Sequence, residues 1–224
     1  MVRRQALTID QPELPGLRNR DSSLIIAGVD EVGRGALFGP VVAAAVILPD
    51  ITLADLAIAG VTDSKLLSAP QRQRLAVQIR SFAIAYQIGY ASVREIDRLN
   101  ILQASLLAMK RAVLKLSVQP DFCLVDGNQC IPGLLIPQET LVKGDQKSTV
   151  IAAASILAKV WRDELLTRMA VRYPHYGFAT NKGYGTAIHR QAIHEYGITS
   201  YHRKSFGPCR LACLENSPNQ LSQD

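Results

Sequence analysis

The chain alternates short apolar runs with longer stretches in which apolar residues return every three or four positions. Leu24 to Val29 is one such run. Val41 to Leu48 is another, eight residues bounded by Pro40 and Pro49, and it reads as a buried strand. The short Gly-rich connection between them favours an antiparallel hairpin. Ile84 to Val93, Phe122 to Val125 and Thr140 to Lys143 read as three further strands. Helical spacing predicts four helices. The first runs from about Gln71 to Phe82, with Ser68 and Pro70 at its start and Leu75, Val77, Ile79 and Phe82 partly inward. The second is one long helix from Arg94 to Leu116, striped by Ile96, Leu99, Leu102, Leu106, Met109, Val113 and Leu116. A third covers Gln146 to about Arg172, and its small residues, Ala152 to Ser155 and Ala158, admit a close neighbour. The fourth covers about Thr186 to Tyr196. Residues 50 to 60 read as a looser segment. Strands first, a helix between later strands and helices gathered at the end make an α/β fold with a mixed sheet.

Length and composition narrow this little. The 224 residues suit one domain or one domain with an appendage, and the formal charge of +6 permits an acidic partner such as nucleic acid. Cys123, Cys130, Cys209 and Cys213 show no Cys-x-x-Cys spacing and read as buried or idle thiols rather than a zinc site. Residues 1 to 22 are polar with no apolar core of a signal peptide, and no apolar run is long enough to span a membrane. The expectation is a cytoplasmic protein with reduced thiols, a flexible extension at 1–22, a folded domain at 23–210 and a polar tail at 211–224.

The acids change the picture. Asp30 and Glu31 interrupt an apolar run where burial should be deepest, and Asp126 and Asp145 stand at the ends of later strands. Buried carboxylates are costly unless paired or bound to a metal, and magnesium and manganese prefer carboxylate and water oxygens. A tight turn with solvated acids is the alternative for Asp30 and Glu31. Neighbouring strand residues face opposite ways, so these two reach one site only if the strand ends or twists at Glu31, near Gly33. Asp145 fits a helix N-cap equally well. Asp163 competes as fourth acid, but 18 positions of helix put it roughly 27 Å from Asp145, so it reads as a solvated charge paired with a neighbouring base. His189 and His194 are five apart, off the face of a helical zinc pair, and read as surface residues. Five Lys or Arg against one acid between Lys182 and Arg210 suggest a surface for a phosphate backbone. Gly33-Arg34-Gly35 could cradle a phosphate but lacks the ending of a P-loop.

The string Asp30-Glu31-Val32-Gly33-Arg34-Gly35 resembles the signature of the type 2 ribonucleases H, in particular the bacterial ribonuclease HII family. Asp63-Ser64-Lys65, Val125-Asp126-Gly127, Lys143-Gly144-Asp145, Ala152 to Ile156 and Asn181-Lys182-Gly183-Tyr184-Gly185 agree with it in order, over about residues 24 to 207. The resemblance implies a ribonuclease H-like fold with a helical C-terminal addition. It implies an endonuclease that hydrolyses the RNA strand of RNA–DNA hybrids, including single ribonucleotides in duplex DNA, and leaves 3′-hydroxyl and 5′-phosphate ends; a monomer is expected. Two Mg2+ or Mn2+ ions would be held by Asp30, Glu31, Asp126 and Asp145. Gly33, Arg34 and Gly35 would read the 2′-hydroxyl, Tyr184 would pack on the next deoxyribose, and Lys65, Lys143 and Lys182 would contact phosphates. Tyr184 is otherwise an ordinary core tyrosine. The alternatives are a ribonuclease HIII-like nuclease acting only on longer RNA tracts and a non-catalytic hybrid-binding module.

Overall fold

The structure, a computed structural model, describes residues 24–215. The extension placed at 1–22 and residues 216–224 of the tail lie outside the described residues. Strands β1 (Ile26–Val32), β2 (Val41–Ile47), β3 (Ala85–Ala91), β4 (Phe122–Asp126) and β5 (Gln138–Leu141) form a sheet of order β3-β2-β1-β4-β5. The β1–β2 and β2–β3 ladders are antiparallel, whereas β1–β4 and β4–β5 are parallel. The sheet is therefore mixed, and its first two strands form the expected hairpin.

β2 is buried at every position because both of its faces are covered. On one face Val41, Ala43, Ala45 and Ile47 meet Ala104, Ala108, Met109 and Ala112 of α4 (Ile101–Leu114). On the other, Val42, Ala44 and Val46 meet α1 (Asp50–Ile58), α2 (Ala69–Phe82) and α6 (Thr149–Arg172) through Leu56, Leu75, Ile79 and the alanines of α6. An apolar run without alternation is what such double coverage selects.

Close approach of α6 depends on Gly28. A Cβ there would lie 2.4 Å from the backbone carbonyl carbon and oxygen of Val150. Backbone cannot yield as a flexible side chain can, so Gly28→Ala must part helix and sheet. It is expected to lower stability by roughly 1–3 kcal/mol, read as a lower thermal midpoint. An unchanged midpoint would show that the helix can slide without loss of packing.

Several boundaries differ from the sequence reading. The looser segment holds α1, whose apolar periodicity is weak because Ile51 and Ile58 are exposed and only Leu56 is buried. In α2, Leu75 and Ile79 face inward but Val77 and Phe82 are exposed. The single helix expected from Arg94 to Leu116 is two, α3 (Val93–Leu99) and α4, broken at Asn100. Asn100 takes φ of 72° and caps α4 by accepting the Gln103 N–H at 3.1 Å. The apolar stripe crosses the break, so periodicity alone conceals it. β5 begins two residues earlier than expected, and the helix expected from Gln146 starts at Thr149, after a separate turn, α5 (Gly144–Lys147).

The C-terminal addition consists of α7 (Phe178–Asn181), α8 (Ala187–Tyr196) and α9 (Gly207–Glu215). Phe178, Ala192, Ile193, Cys209 and Ala212 join Leu37, Phe38 and Leu166 in a separate apolar cluster. This packs the addition against the connection between β1 and β2. Helix α9 crosses the boundary placed between 210 and 211, with Ala212 buried.

Candidate metal centre and adjoining loops

Strand β1 does not end at Glu31. It pairs with β2 as far as Val32↔Val42, but its pairing with β4 stops at Val29↔Val125. The last residues of β1 are thus open on the β4 side, next to Asp126 at the tip of β4. Asp30 lies on the α6 face, two residues beyond Gly28, and is buried. The longer Glu31 side chain still reaches the same opening. One oxygen each from Asp30, Glu31 and Asp126 lie within 4.8 Å of one another.

Local hydrogen bonds aim these carboxylates. Asp30 Oδ1 accepts the Glu31 N–H at 2.6 Å, and Asp126 Oδ1 accepts the Gly144 N–H at 2.7 Å. The second bond ties the β4 tip to α5, which Lys143 enters with a φ of 57°. Asp145 follows in the first turn of α5 and is buried, with Oδ2 3.7 Å from Lys65 Nζ. It is neither the N-cap of α6, which is Ser148, nor a member of the three-carboxylate group. It adjoins that group closely enough for the Asp126 charge to act on it.

Burial, then the charges of Glu31 and Asp126, push Asp30 well above the ordinary carboxylate range. Burial raises Glu31 as well, opposed by Arg34, whose Nη1 donates to Glu31 Oε1 at 3.2 Å. Asp145 is raised by burial and then by Asp63 and Asp126. Crowded, buried carboxylates of this kind resist ionisation until a cation joins them.

Asp163 stands apart from this centre. It pairs with Lys159 at 2.8 Å and Arg72 at 3.6 Å, as a paired charge should, although it is half-buried rather than solvated.

The two glycine-containing motifs lie edge to edge. Leu37 N–H donates to Gly183 O at 2.8 Å, and Ala36 and Tyr184 form an antiparallel bridge. Arg34 and Gly35 are exposed, whereas Gly33 is buried with a φ of 88°. A Cβ on Gly33 would sit 2.2 Å from Arg162 Nε. The Tyr184 ring lies 5.5 Å from the Arg162 guanidinium and 5.8 Å from Lys159 Nζ. Lys65 and Lys143 are exposed beside Asp145, while Lys182 Nζ donates to Thr167 Oγ1 at 2.7 Å.

Sequence reasoning missed the groups that hold these loops. Arg203, counted with the basic surface, is fully buried and donates to the carbonyls of Gly33, Arg34 and Gly39. Arg162 is equally buried and donates to Phe38, Pro40 and Lys182. A signal for Arg162 existed: it continues the buried line Ser155, Ala158, Leu166 at helical spacing. Nothing in the run His202-Arg203-Lys204 marks Arg203 as internal. His189, read as a surface residue, is also fully buried, whereas His194 is exposed as expected.

A mixed sheet that gathers acids from the neighbouring ends of β1 and β4 defines an enzyme of the ribonuclease H class. The family model for ribonuclease HII matches residues 27–209, and the chain belongs to that family. It is similar to the ribonuclease HII of Acaryochloris marina, 63% identical over 87% of this chain and 98% of that one. It is likewise similar to the ribonuclease HII of Trichodesmium erythraeum, 64% identical over 86% of this chain and 92% of that one. Among solved structures, ribonuclease H2 from Pyrococcus horikoshii superposes with a TM-score of 0.72 at 25% identity, over 85% of this chain and 97% of that one. The ribonuclease H-like fold is thereby established. Among the described residues, no helix is long and apolar enough to cross a membrane.

Proposed function

We propose that the chain is a divalent-metal-dependent endonuclease that cuts the RNA strand of RNA–DNA hybrids. In duplex DNA it also cuts on the 5′ side of a single embedded ribonucleotide, leaving 3′-hydroxyl and 5′-phosphate ends. The observation that carries this reading is the convergence of three carboxylates within 4.8 Å, beside two loops bonded edge to edge. Their all-oxygen donor set fits Mg2+ or Mn2+. Asp30, Glu31 and Asp126 would hold the metal, and Asp145 would complete a second position. The chemistry that two bound ions would supply there is activation of the attacking water and stabilisation of the leaving oxygen.

The chain's own residues choose the phosphate. Gly33, Arg34 and Gly35 read the 2′-hydroxyl, the group that distinguishes RNA from DNA. The open space around Gly35 supports a close approach of backbone to ribose. Tyr184, anchored to Ala36 through the bridge, packs on the deoxyribose that follows. Lys65, Lys143 and Lys182 meet phosphates, Lys182 by exchanging the neutral Thr167 hydroxyl for a charged oxygen. All the acids come from one chain, so a monomer suffices.

The test is a labelled DNA duplex with one ribonucleotide, incubated with Mg2+, Mn2+ or EDTA, with product ends read by mass spectrometry. A single metal-dependent cut 5′ to the ribonucleotide is expected. Cleavage confined to longer RNA tracts would replace this reading with a ribonuclease HIII-like one. Binding without cleavage would make the chain a hybrid-binding module.

Asp145 and Asp163 should separate under the same assay. Asp145→Asn is expected to lower kcat by about 100-fold, roughly 2.7 kcal/mol of barrier. Asp163→Asn breaks only its pairs with Lys159 and Arg72 and should leave most of the turnover. The reverse order would move the second metal position onto α6.

A further inference from the structure

The apolar cluster of the C-terminal addition encloses two imidazoles that the proposed chemistry does not use. His189 on α8 and His202 beyond it are both fully buried, among Phe38, Tyr176 and Phe178. Their Nε2 atoms are 3.1 Å apart. The direction of hydrogen bonding follows from the ends. The Thr199 backbone N–H can only donate, and it meets His202 Nδ1 at 2.9 Å, so that nitrogen accepts. A neutral His202 then carries its proton on Nε2 and donates to His189 Nε2. His189 must therefore carry its own proton on Nδ1, which donates to the Tyr184 carbonyl at 2.9 Å. Burial pushes both imidazoles down, His202 to about 3 with His189 adding to the effect, so both are neutral near pH 7.

The relay joins three pieces of backbone. Residue 202 forms a bridge with Phe38, and Tyr184 forms one with Ala36. Gly39 N–H donates to Tyr201 O at 2.9 Å, and Thr186 N–H gives the Tyr184 carbonyl a second donor at 2.8 Å. We propose that His189 and His202 are positioning residues for substrate discrimination. Through a one-way chain of hydrogen bonds from Thr199 to Tyr184, they hold the Tyr184 backbone in register with the 33–38 loop and so set the preference for an RNA-to-DNA step. This rests on the reading of Tyr184 as the residue that packs on the deoxyribose. Small displacements of a positioning group cost rate steeply, up to about 100-fold for about 1 Å.

The experiment has two arms on the full chain. Long-range 1H–15N correlation near pH 7 should show His202 as the Nε2–H tautomer and His189 as the Nδ1–H tautomer. Reversed tautomers, or a doubly protonated ring, would overturn the relay. The second arm takes the ratio of kcat/KM for a duplex with one embedded ribonucleotide to that for a uniform hybrid. His189→Phe removes the donor to Tyr184 and should lower the ratio by about tenfold. His189→Asn keeps an N–H close to the place of Nδ1 and should restore most of it; if His189→Phe does not fold, the Asn variant and the tautomers still decide. Tyr184→Ala is measured beside them. A ratio that falls in Tyr184→Ala but not in His189→Phe overturns the positioning role alone. A ratio unmoved in Tyr184→Ala overturns the reading of Tyr184 and this inference with it.

Discussion

Asp126→Asn is expected to lower kcat on a uniform RNA–DNA hybrid by about 10³-fold or more, roughly 4 kcal/mol of barrier, while hybrid binding in calcium persists. The amide is nearly isosteric, and its oxygen can still accept the Gly144 N–H that joins the β4 tip to α5. What disappears is one negative charge from a group of three. The loss should therefore fall on metal-dependent chemistry and spare folding. In EDTA the variant should be as stable as the parent or slightly more so, because Asp126 opposes ionisation of both Asp30 and Glu31. The pH dependence has a definite sign. Carboxyl groups raised in the folded state contribute stability that is full below the ordinary carboxylate range and is lost as pH rises through their raised values. Asp126→Asn should flatten that loss in metal-free thermal melts. Turnover above about a tenth of the parent's, 1.4 kcal/mol or less of barrier, would remove Asp126 from the proposed metal centre.

Much of this centre was legible from residue order, for physical reasons that can be named. Acids that interrupt an apolar run signal a buried site, because burial without compensation is costly. The hairpin followed from a short Gly-rich connection, and the burial of β2 from an apolar run without alternation. How Asp30 and Glu31 meet was not legible. Strand alternation requires the strand to end or twist at Glu31; β1 does not end there, and only its β4 partner falls away. That is a property of the sheet rather than of β1. The helix break at Asn100 was hidden for a related reason: the apolar period runs through it.

The polar interior was the least readable part. Arg162, His189, His202 and Arg203 carry residue types that favour the surface, and each is internal because backbone groups or a second imidazole satisfy it. The arginines find theirs far away in sequence, Arg162 reaching 124 positions back to Phe38 and Arg203 170 positions back to Gly33. No local pattern encodes such a partner. The motifs that bind substrate in the proposed function were visible in the chain, whereas the groups that hold those motifs in place were not.

Arg203→Met should produce the largest loss of stability. The guanidinium donates from Nε to Gly39 O at 3.0 Å, from Nη1 to Arg34 O at 2.7 Å and from Nη2 to Gly33 O at 2.7 Å. Burial, with Arg162 adding to the effect, pushes Arg203 down to about 9, so it still carries its charge at neutral pH. Methionine keeps an unbranched apolar stem near Phe206 but leaves those carbonyls without that donor. A buried acceptor left without a donor costs about 1–3 kcal/mol; Gly33 O keeps the Ala36 N–H at 3.3 Å, and the total should reach about 3 kcal/mol after relaxation. For a chain of this size that corresponds to a thermal midpoint lower by roughly 6–12 °C. Arg203→Lys supplies one ammonium where a planar fork served three oxygens, and should recover only part of the loss. Arg34→Ala alters the same loop from its exposed side and should stay within about 0.5 kcal/mol of the parent, while weakening substrate binding by the cation it removes. If Arg203→Met melted within about 2 °C of the parent, water would have to replace the guanidinium at those carbonyls, and the 33–39 loop would owe its shape to the Gly183 and Tyr201 backbone bonds instead.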